Sequence, residues 1–375
     1  MKIGLNGQKI LLEKPAGPEL YTINLFKTLA RIDKENEYIV YLEETPDEKF
    51  FSDLSNENKN FTYKVIQRKR FWTQYGLAKE LLKNPVDVFF TAVHTIPMIR
   101  NKKTKFVSMI HGLEYKYSEG YGNLISRFEI ERPIRYTVRY SDKIIVPSYA
   151  TKNDIISRNW GVNENKIEVV YEGVSDNFYR RGENEITKVR EKYGIGNDPY
   201  LFFISTIQPR KNLPNLVRAF SQFIRENPEH KNTKLLIAGK KGWNYEESLD
   251  APRKYGVEES VKFLGRIPDE DLPALFSGTK AYVNVSFEEG FGLPLLESIS
   301  CGTPSVVSGI PAHKEVGDTI PVYVNPNNIE NIKDGIYEIM NGSFDNKEIS
   351  KRAEYFTWGK TAEKTLDVLK SQIKA

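Results

Sequence analysis

The stretch SFEEGFGLPLLE, residues 286–297, decides how this chain of 375 residues is interpreted. It follows the apolar run AYVNV, residues 281–285, which has the length and composition of a buried strand. Its glycines permit a tight turn, and Pro294 suits the first turn of a helix, where a missing N–H costs little. We therefore predict a strand, a glycine turn and a helix that ends at Gly302.

Two carboxylates frame this predicted turn, Glu289 within it and Glu297 in the helix. At a rise of about 1.5 Å per residue, Glu297 lies roughly 4 to 5 Å along the axis from the helix start. The N–H groups and the positive dipole end of a helix N-terminus favour a phosphate or a sugar hydroxyl, so one polyhydroxylated anion could meet both carboxylates. The alternatives are an acidic loop with nothing bound and a dinucleotide fingerprint, although Leu295 occupies the third glycine position of that fingerprint.

A second strand, loop and helix are predicted upstream, beginning with the apolar run YLFFI at residues 200–204. Arg210 and Lys211 follow this strand, and ligands bind at the carboxyl ends of the strands in open parallel sheets. Paired cations at that edge suit a diphosphate, and Asn212 is a candidate cap for the helix that follows. For two adjacent cations alone, a solvated loop is the alternative.

These motifs resemble those of a known family, the retaining glycosyltransferases of family 4, also called glycosyl transferases group 1. The resemblance rests on PRKN (209–212), LIAG (236–239), FLG (263–265), E-x7-E (289–297) and CGTP (301–304), in this order. The N-terminal half matches more loosely, through a first strand, a glycine loop and His111. The resemblance implies an α/β protein with the GT-B fold, in which two Rossmann-like, doubly wound domains face each other across a cleft.

Strand-like runs alternate with helical patterns along the whole chain, which is typical of parallel α/β sheets. In the first half they cover residues 2–6, 38–42, 62–66, 86–91, 105–110, 143–146 and 167–171. In the second half they begin at residue 200 and continue at 234–238, 261–264, 281–285, 305–308 and 322–324. The polar residues 175–199 between the two series are predicted to form a linker.

The domain organisation follows from these two series and from the resemblance. We predict an N-terminal, acceptor-binding domain at residues 1–180 and a C-terminal, nucleotide-sugar-binding domain at 181–357. The last helix, residues 358–375, would return to the N-terminal domain. The length of the chain, too great for one ordinary core, is consistent with two domains.

Composition and charge restrict the classes of protein to consider. The mean hydropathy of −0.50 and the lack of any apolar run of about 18 residues argue against a membrane span. A net charge of +4 is small for this length and argues against a dedicated nucleic-acid binder. The single cysteine, Cys301, is expected to be inert and fits a reduced, cytoplasmic setting. The chain starts with strand-like residues, which we take to leave no room for a signal peptide.

His111 ends an apolar strand at residues 106–110, at the edge where ligands are expected. A lone histidine is more often structural, but in the family a histidine at such a place hydrogen-bonds the donor sugar. The resemblance therefore assigns His111 and Glu289 to catalysis. His94 is a weaker candidate, and His230 and His313 are predicted to lie on the surface.

The reaction implied by the resemblance moves a sugar, with mannose favoured, from a nucleoside diphosphate to a glycan or lipid-linked acceptor with retention of configuration. Arg210 and Lys211 would stabilise the charge that develops on the leaving diphosphate, and Glu297 would bind the ribose hydroxyls. The other expected donor-binding residues are Gly17, Gly290, Phe291, Gly292 and Leu293. A sugar-nucleotide 2-epimerase and a non-catalytic sugar-nucleotide-binding protein are the alternatives.

No metal or other cofactor is expected, because two cations and a helix start already serve the diphosphate. Asp269 and Asp271 form the Asp-x-Asp pattern of metal-dependent transferases, but helix capping is the preferred explanation. The segment 59–105 carries eleven Lys and Arg against two acids. It suggests a peripheral contact with an anionic membrane, and a solvated surface is the alternative.

Overall fold

A computed structural model of the protein describes residues 1–8, 10, 17–46, 48–68, 70–113 and 124–373. The side chains of residues 48–50 and 124–130 are not described. The chain forms two compact units. The first contains residues 1–113, 124–173 and 358–373, and the second contains residues 174–357.

The first unit is built on a parallel sheet of seven strands within the described residues, in the order β3-β2-β1-β4-β5-β6-β7. The strands are β1 (Lys2–Asn6), β2 (Glu37–Leu42), β3 (Phe61–Val65), β4 (Val88–Thr91), β5 (Lys105–Met109), β6 (Lys143–Val146) and β7 (Ile167–Val169). The strand order reverses where β1 pairs with β4, as it does in doubly wound folds.

Helices cover this sheet because each has an apolar face. They are α1 (Gly17–Ile32), α2 (Glu48–Glu57), α3 (Ala78–Lys83), α4 (Leu124–Tyr140), α5 (Tyr149–Ser157) and α14 (Trp358–Ser371), and a π-helix (Trp72–Leu77) precedes α3. Helix α1 buries Tyr21, Leu25 and Leu29, which recur every four residues on one face. The C-terminal α14 packs against α1 and belongs to the first unit.

The second unit contains a parallel sheet of six strands in the order β10-β9-β8-β11-β12-β13. Its strands are β8 (Tyr200–Ile204), β9 (Lys234–Ala238), β10 (Val261–Gly265), β11 (Ala281–Asn284), β12 (Ser305–Ser308) and β13 (Val322–Val324). Its helices are α6 (Glu183–Lys192), α7 (Leu213–Glu226), α8 (Glu246–Tyr255), α9 (Leu272–Gly278), α10 (Leu293–Ser300), α11 (Pro311–Gly317), α12 (Ile329–Asn341) and α13 (Asn346–Lys351). The prediction of two doubly wound, parallel α/β domains is confirmed.

Residues 175–199, predicted as a linker, pack as an integral part of the second unit. Helix α6 lies in this segment and packs against α9. Just before it, the Arg181 backbone N–H donates a hydrogen bond of 2.8 Å to Ser277 Oγ. The polar sequence misled the prediction because α6 buries only Ile186 and Val189.

The topology of the second unit places two loops side by side. Strands β8 and β11 are neighbours at the point where the strand order reverses, and both run in the same direction. In doubly wound sheets the ligand crevice lies outside the carboxyl ends of the strands at such a point. None of the helices in the described part of the chain is long and apolar enough to cross a membrane.

Candidate functional site

Three charged side chains meet where the loops after β8 and β11 adjoin. Glu289 Oε2 lies 2.8 Å from Arg210 Nη1, and Glu289 Oε1 lies 2.7 Å from Lys211 Nζ. The three side chains are only 7 to 9% exposed. Arg210 also donates a hydrogen bond to the backbone carbonyl of Glu288. One carboxylate therefore holds two buried cations side by side at the predicted diphosphate site.

Backbone and amide hydrogen bonds tie the same two loops together. The Phe287 N–H donates to the Arg210 carbonyl over 3.0 Å. Asn212 adopts a left-handed backbone with φ of 57°, and its side-chain amide donates to the carbonyls of Val285 and Pro326. Asn212 occupies the N-cap position of α7, as expected, but its side chain makes no capping hydrogen bond, because it joins the loops instead.

The electrostatic environment keeps Glu289 charged. Burial by itself raises the pKa of a carboxyl, but the adjacent charges of Lys211 and Arg210 outweigh that effect. Together they hold the pKa of Glu289 well below its usual range. Removing the carboxylate would leave two positive charges in a buried site without the negative charge that balances them.

Glu297 lies on α10, the helix that follows the same turn. Its environment has the opposite effect on the pKa from that of Glu289. Burial raises the pKa of Glu297 to about 8, and the nearby charge of Asp269 adds to the effect. The raised pKa favours the protonated form of this carboxyl group, which can donate as well as accept a hydrogen bond.

The turn between the two glutamates depends on Gly292. Its φ of 102° lies in the region that favours glycine, and a Cβ there would come within 3.2 Å of the His313 ring. The other predicted residues of the turn are buried, since Gly290 is enclosed and Phe291 is 4% exposed. Leu293 begins α10.

His313 was predicted to lie on the surface, and that prediction is wrong, because the side chain is fully buried beside Gly292. Its Nδ1 lies 3.0 Å from the Ser308 carbonyl, which requires a proton on Nδ1. Burial lowers the pKa of His313 to about 4. Its position at the start of α11, in PAHKE, resembled that of an exposed residue in a first helical turn.

In the first unit, His111 follows β5 and lies against a buried carboxylate. His111 Nδ1 is 3.2 Å from Glu172 Oε1, and the His111 N–H donates to His94 Nε2 over 3.3 Å. The edge of the imidazole contacts Tyr21 at a centroid distance of 4.9 Å. Glu172 was not predicted as a site residue, although a carboxylate just after β7 was a visible signal.

The remaining predicted positions fall outside these clusters. Gly17 is the first residue of α1 and is exposed, and most of the loop before it, residues 9 and 11–16, lies outside the described residues. Cys301 is fully buried, and burial raises the pKa of its thiol. His111 and Gly17 belong to the first unit, and the other predicted site residues belong to the second.

Asp271 occupies the N-cap position of α9, as expected, but its side chain makes no capping hydrogen bond. Its carboxylate instead accepts hydrogen bonds from Lys192 Nζ and from the Tyr193 hydroxyl, both at 2.5 Å. The described residues contain no group of three or more His, Cys, Asp or Glu side chains that could hold a metal ion.

Comparison with known proteins gives matches along most of the chain. A family model described as Glycosyl transferases group 1 matches residues 185–356, and one described as Glycosyltransferase Family 4 matches residues 15–178. O-antigen chain mannosyltransferase B of Escherichia coli is 27% identical over 245 residues, which are 64% of each protein. O-antigen chain mannosyltransferase RfbU of Salmonella typhimurium is 26% identical over 263 residues, 67% of each. The chain thus spans about two thirds of the length of these relatives.

Solved structures give matches over nearly the whole chain. Anabaena Alr3699/HepE in complex with UDP and glucose has a TM-score of 0.73 at 19% identity, covering 99% of this chain and 100% of that one. WaaG, a glycosyltransferase involved in lipopolysaccharide biosynthesis, has a TM-score of 0.70 at 15% identity, covering 98% and 99%. At these identities the likeness shows the fold, which is GT-B.

Proposed function

The chain belongs to glycosyltransferase family 4, and from that premise we propose that it transfers a sugar from a nucleoside diphosphate to an acceptor hydroxyl. The observation that carries the proposal is the pair of buried cations, Arg210 and Lys211, held by Glu289 at the carboxyl ends of β8 and β11. Mannose is the favoured sugar, because two relatives are named as mannosyltransferases. The acceptor class is a glycan or lipid-linked glycan of cell-surface polysaccharide or glycolipid synthesis.

The site would lower the free-energy barrier of the transfer mainly by stabilising the negative charge that develops on the leaving diphosphate. As the bond to the sugar breaks, negative charge accumulates on the diphosphate, and Arg210 and Lys211 are already in place to receive it. Preorganised charges of this kind require little reorganisation during the reaction, and removing a single such contact in other enzymes costs about 3 to 4 kcal/mol of transition-state stabilisation. We propose that the anomeric configuration is retained and that no metal takes part.

The remaining donor contacts are assigned by family membership. Glu297 is proposed to bind the ribose hydroxyls, and Glu289 with the backbone at 290–292 the sugar hydroxyls. His111 is proposed to hydrogen-bond the transferred sugar. Both glutamates belong to one turn and helix, which supports their sharing one ligand.

A peripheral contact with an anionic membrane is proposed for the first unit. Met98 and Ile99 are 56% and 65% exposed, next to Arg100. On α4, the exposed Arg132, Arg135 and Arg139 line one cavity together with Tyr136 and Tyr140. Arg132 and Tyr136 also line a second cavity with Met98. Exposed apolar side chains beside arginines suit the interface of an anionic bilayer, where both the buried apolar area and the charge contribute.

Turnover of a panel of nucleoside diphosphate sugars tests the enzymatic proposal. The purified protein would be incubated with each donor and a membrane lipid extract, and the release of nucleoside diphosphate would be followed. We expect release with one donor, an acceptor-linked product with the donor's anomeric configuration by NMR, and a strong loss in Lys211→Ala. Lys254→Ala is the matched control, because that lysine is half exposed.

Two outcomes would overturn the proposal. Conversion of the sugar nucleotide without an acceptor would identify an epimerase instead. Binding of a donor with no turnover under any acceptor condition would identify a sugar-nucleotide-binding protein. Cosedimentation with anionic but not with neutral vesicles, weakened by Met98→Ser with Ile99→Ser, separately tests the membrane contact.

A further inference from the structure

The contact between His111 and Glu172 determines where the imidazole carries its proton. His111 Nδ1 lies 3.2 Å from Glu172 Oε1, and the two side chains are 14% and 9% exposed. An ionised carboxylate only accepts hydrogen bonds, so the hydrogen between them belongs to Nδ1. In the neutral imidazole, Nε2 is then left with its lone pair. Glu172 therefore selects the tautomer in which Nε2 is an acceptor.

Two further contacts orient the ring without bonding either ring nitrogen. The backbone N–H of His111 donates to His94 Nε2, and the ring edge packs against Tyr21 with an interplanar angle of 83°. Neither contact selects a tautomer, which leaves that role to Glu172. Nε2 is buried and has no hydrogen-bond partner among the described residues.

An unpartnered buried polar atom needs an explanation, since leaving one unsatisfied costs about 1 to 3 kcal/mol. Its position suggests one. His111 lies two residues after β5 and Glu172 three residues after β7, so both follow the carboxyl ends of parallel strands in one sheet. That edge is the one at which doubly wound sheets bind ligands.

We propose that Glu172 is a positioning residue for His111. Its carboxylate holds the proton on Nδ1 and so presents Nε2 as a hydrogen-bond acceptor for a hydroxyl of the transferred sugar. The ligand class is a group that donates a hydrogen bond, and Glu172 itself need not touch it. The identity of the hydroxyl rests on the proposed function. The tautomer of His111 does not depend on that function.

Nitrogen-15 NMR of protein labelled at histidine tests the tautomer without any donor. The chain has four histidines, and His111→Gln identifies the His111 signals by their loss. We expect an Nδ1 shift typical of a protonated ring nitrogen and an Nε2 shift typical of an unprotonated one. A proton on Nε2 in the wild type would overturn the proposal, whatever the activity of the protein.

Two substitutions of Glu172 separate positioning from packing. Glu172→Leu removes the acceptor, so the His111 signals should move toward the Nε2–H tautomer that free imidazole side chains prefer. Glu172→Gln keeps an acceptor oxygen but adds an NH2 donor, so the His111 shifts should lie between those of the wild type and of Glu172→Leu. If Glu172→Leu fails to fold, the wild-type and Glu172→Gln spectra still decide the assignment. Unchanged His111 shifts in a folded Glu172→Leu protein would contradict the selection of the tautomer by Glu172.

Kinetics with the donor found by the turnover panel test the consequence. Glu172→Leu should lower kcat by about ten- to a hundredfold, the range for carboxylates that orient metal-bound histidines, with the donor KM little changed. Glu172→Gln should recover part of kcat, because its amide oxygen can still accept a hydrogen bond from Nδ1. In a His111→Gln background, Glu172→Leu should cost nothing further, because the two residues act as one unit. If the losses in kcat of the two single variants add fully, the residues act independently and the proposal is wrong. Absence of turnover in the wild type would instead refute only the proposed function.

Discussion

The two glutamates of the E-x7-E motif lie in one turn and helix of the second unit but differ in their ionisation. Glu289 bonds to Arg210 and Lys211, whose charges keep its pKa well below the usual range. Glu297 is half-buried near the charge of Asp269, and desolvation together with that charge raises its pKa to about 8. The difference teaches that the spacing of a motif does not define the charge of its members. Their neighbours on other segments do.

This contrast gives the two carboxyl groups different tasks. Glu289 stabilises the free protein, because its carboxylate neutralises the charges of two buried cations. Glu297 is available to a ligand as a neutral acid that both donates and accepts hydrogen bonds near pH 7. Its proposed contact with ribose hydroxyls therefore does not require a charge.

Removal of the Glu289 charge should give the largest effect. Glu289→Gln leaves Arg210 and Lys211 without their carboxylate, and breaking a buried ion pair on one side costs about 3 to 5 kcal/mol. We expect this loss in the free energy of unfolding from urea denaturation. Glu247→Gln is the control, because that exposed partner of Lys254 should contribute less than about 1 kcal/mol. Equal losses in the two variants would contradict the role of Glu289.

Gly292→Ala tests the turn that connects the two glutamates and should have a smaller effect on the free energy of unfolding. Its φ of 102° is strained for alanine, and the added Cβ would lie 3.2 Å from the His313 ring. We expect a loss of about 1 to 3 kcal/mol. Gly256→Ala has a positive φ of 68° with nothing within 4 Å of the added Cβ, so it measures the backbone cost alone. If Gly256→Ala is as costly as Gly292→Ala, crowding against His313 plays no part.

The pH dependence of stability tests the raised pKa of Glu297. Per pH unit, it should give the smallest of the three effects on the free energy of unfolding. The folded-state pKa of about 8 exceeds the ordinary value of 4.5, so between those pH values the folded protein keeps a proton that the unfolded chain has released. The stabilising contribution is complete below the ordinary pKa and is lost as pH rises through the folded one. Glu297→Gln should gain stability relative to wild type by at most about 1.4 kcal/mol per pH unit in this window.

Urea denaturation at several pH values between about 6 and 8 measures that difference. A pH-independent difference between Glu297→Gln and wild type would show that Glu297 has an ordinary pKa. Glu297 and Glu289 would then both be charged near pH 7 and would not differ in ionisation.

Much of the fold could be predicted from the sequence, because parallel strands buried on both faces are short, continuous apolar runs. The predicted runs at 2–6, 143–146, 234–238, 305–308 and 322–324 match their strands residue for residue. Polar segments were harder to predict. Helix α6 was assigned to a linker because it buries few apolar residues, and the π-helix Trp72–Leu77 has no sequence signal that we recognised.

The candidate site could be predicted only where its residues lie in local motifs. Arg210, Lys211 and Glu289 were identified from their loops, but their ion pairs join residues about 80 positions apart and were not. Glu172 lies 61 residues from His111, and its role depends on the packing of β5, β6 and β7. Burial, which sets the pKa of Glu297 and hides His313, also depends on the complete fold.

The most direct test of the account is a calorimetric titration of wild-type protein and Lys211→Ala with nucleoside diphosphates, UDP and GDP, without added metal. Lys254→Ala serves as the control for the loss of one exposed lysine. We predict that the wild type and the control bind one of the two ligands alike. Lys211→Ala should bind it about tenfold or more weakly, as expected for a hydrogen bond to a charged group. Equal affinity of Lys211→Ala and wild type would contradict the assignment of the cations held by Glu289 to the diphosphate.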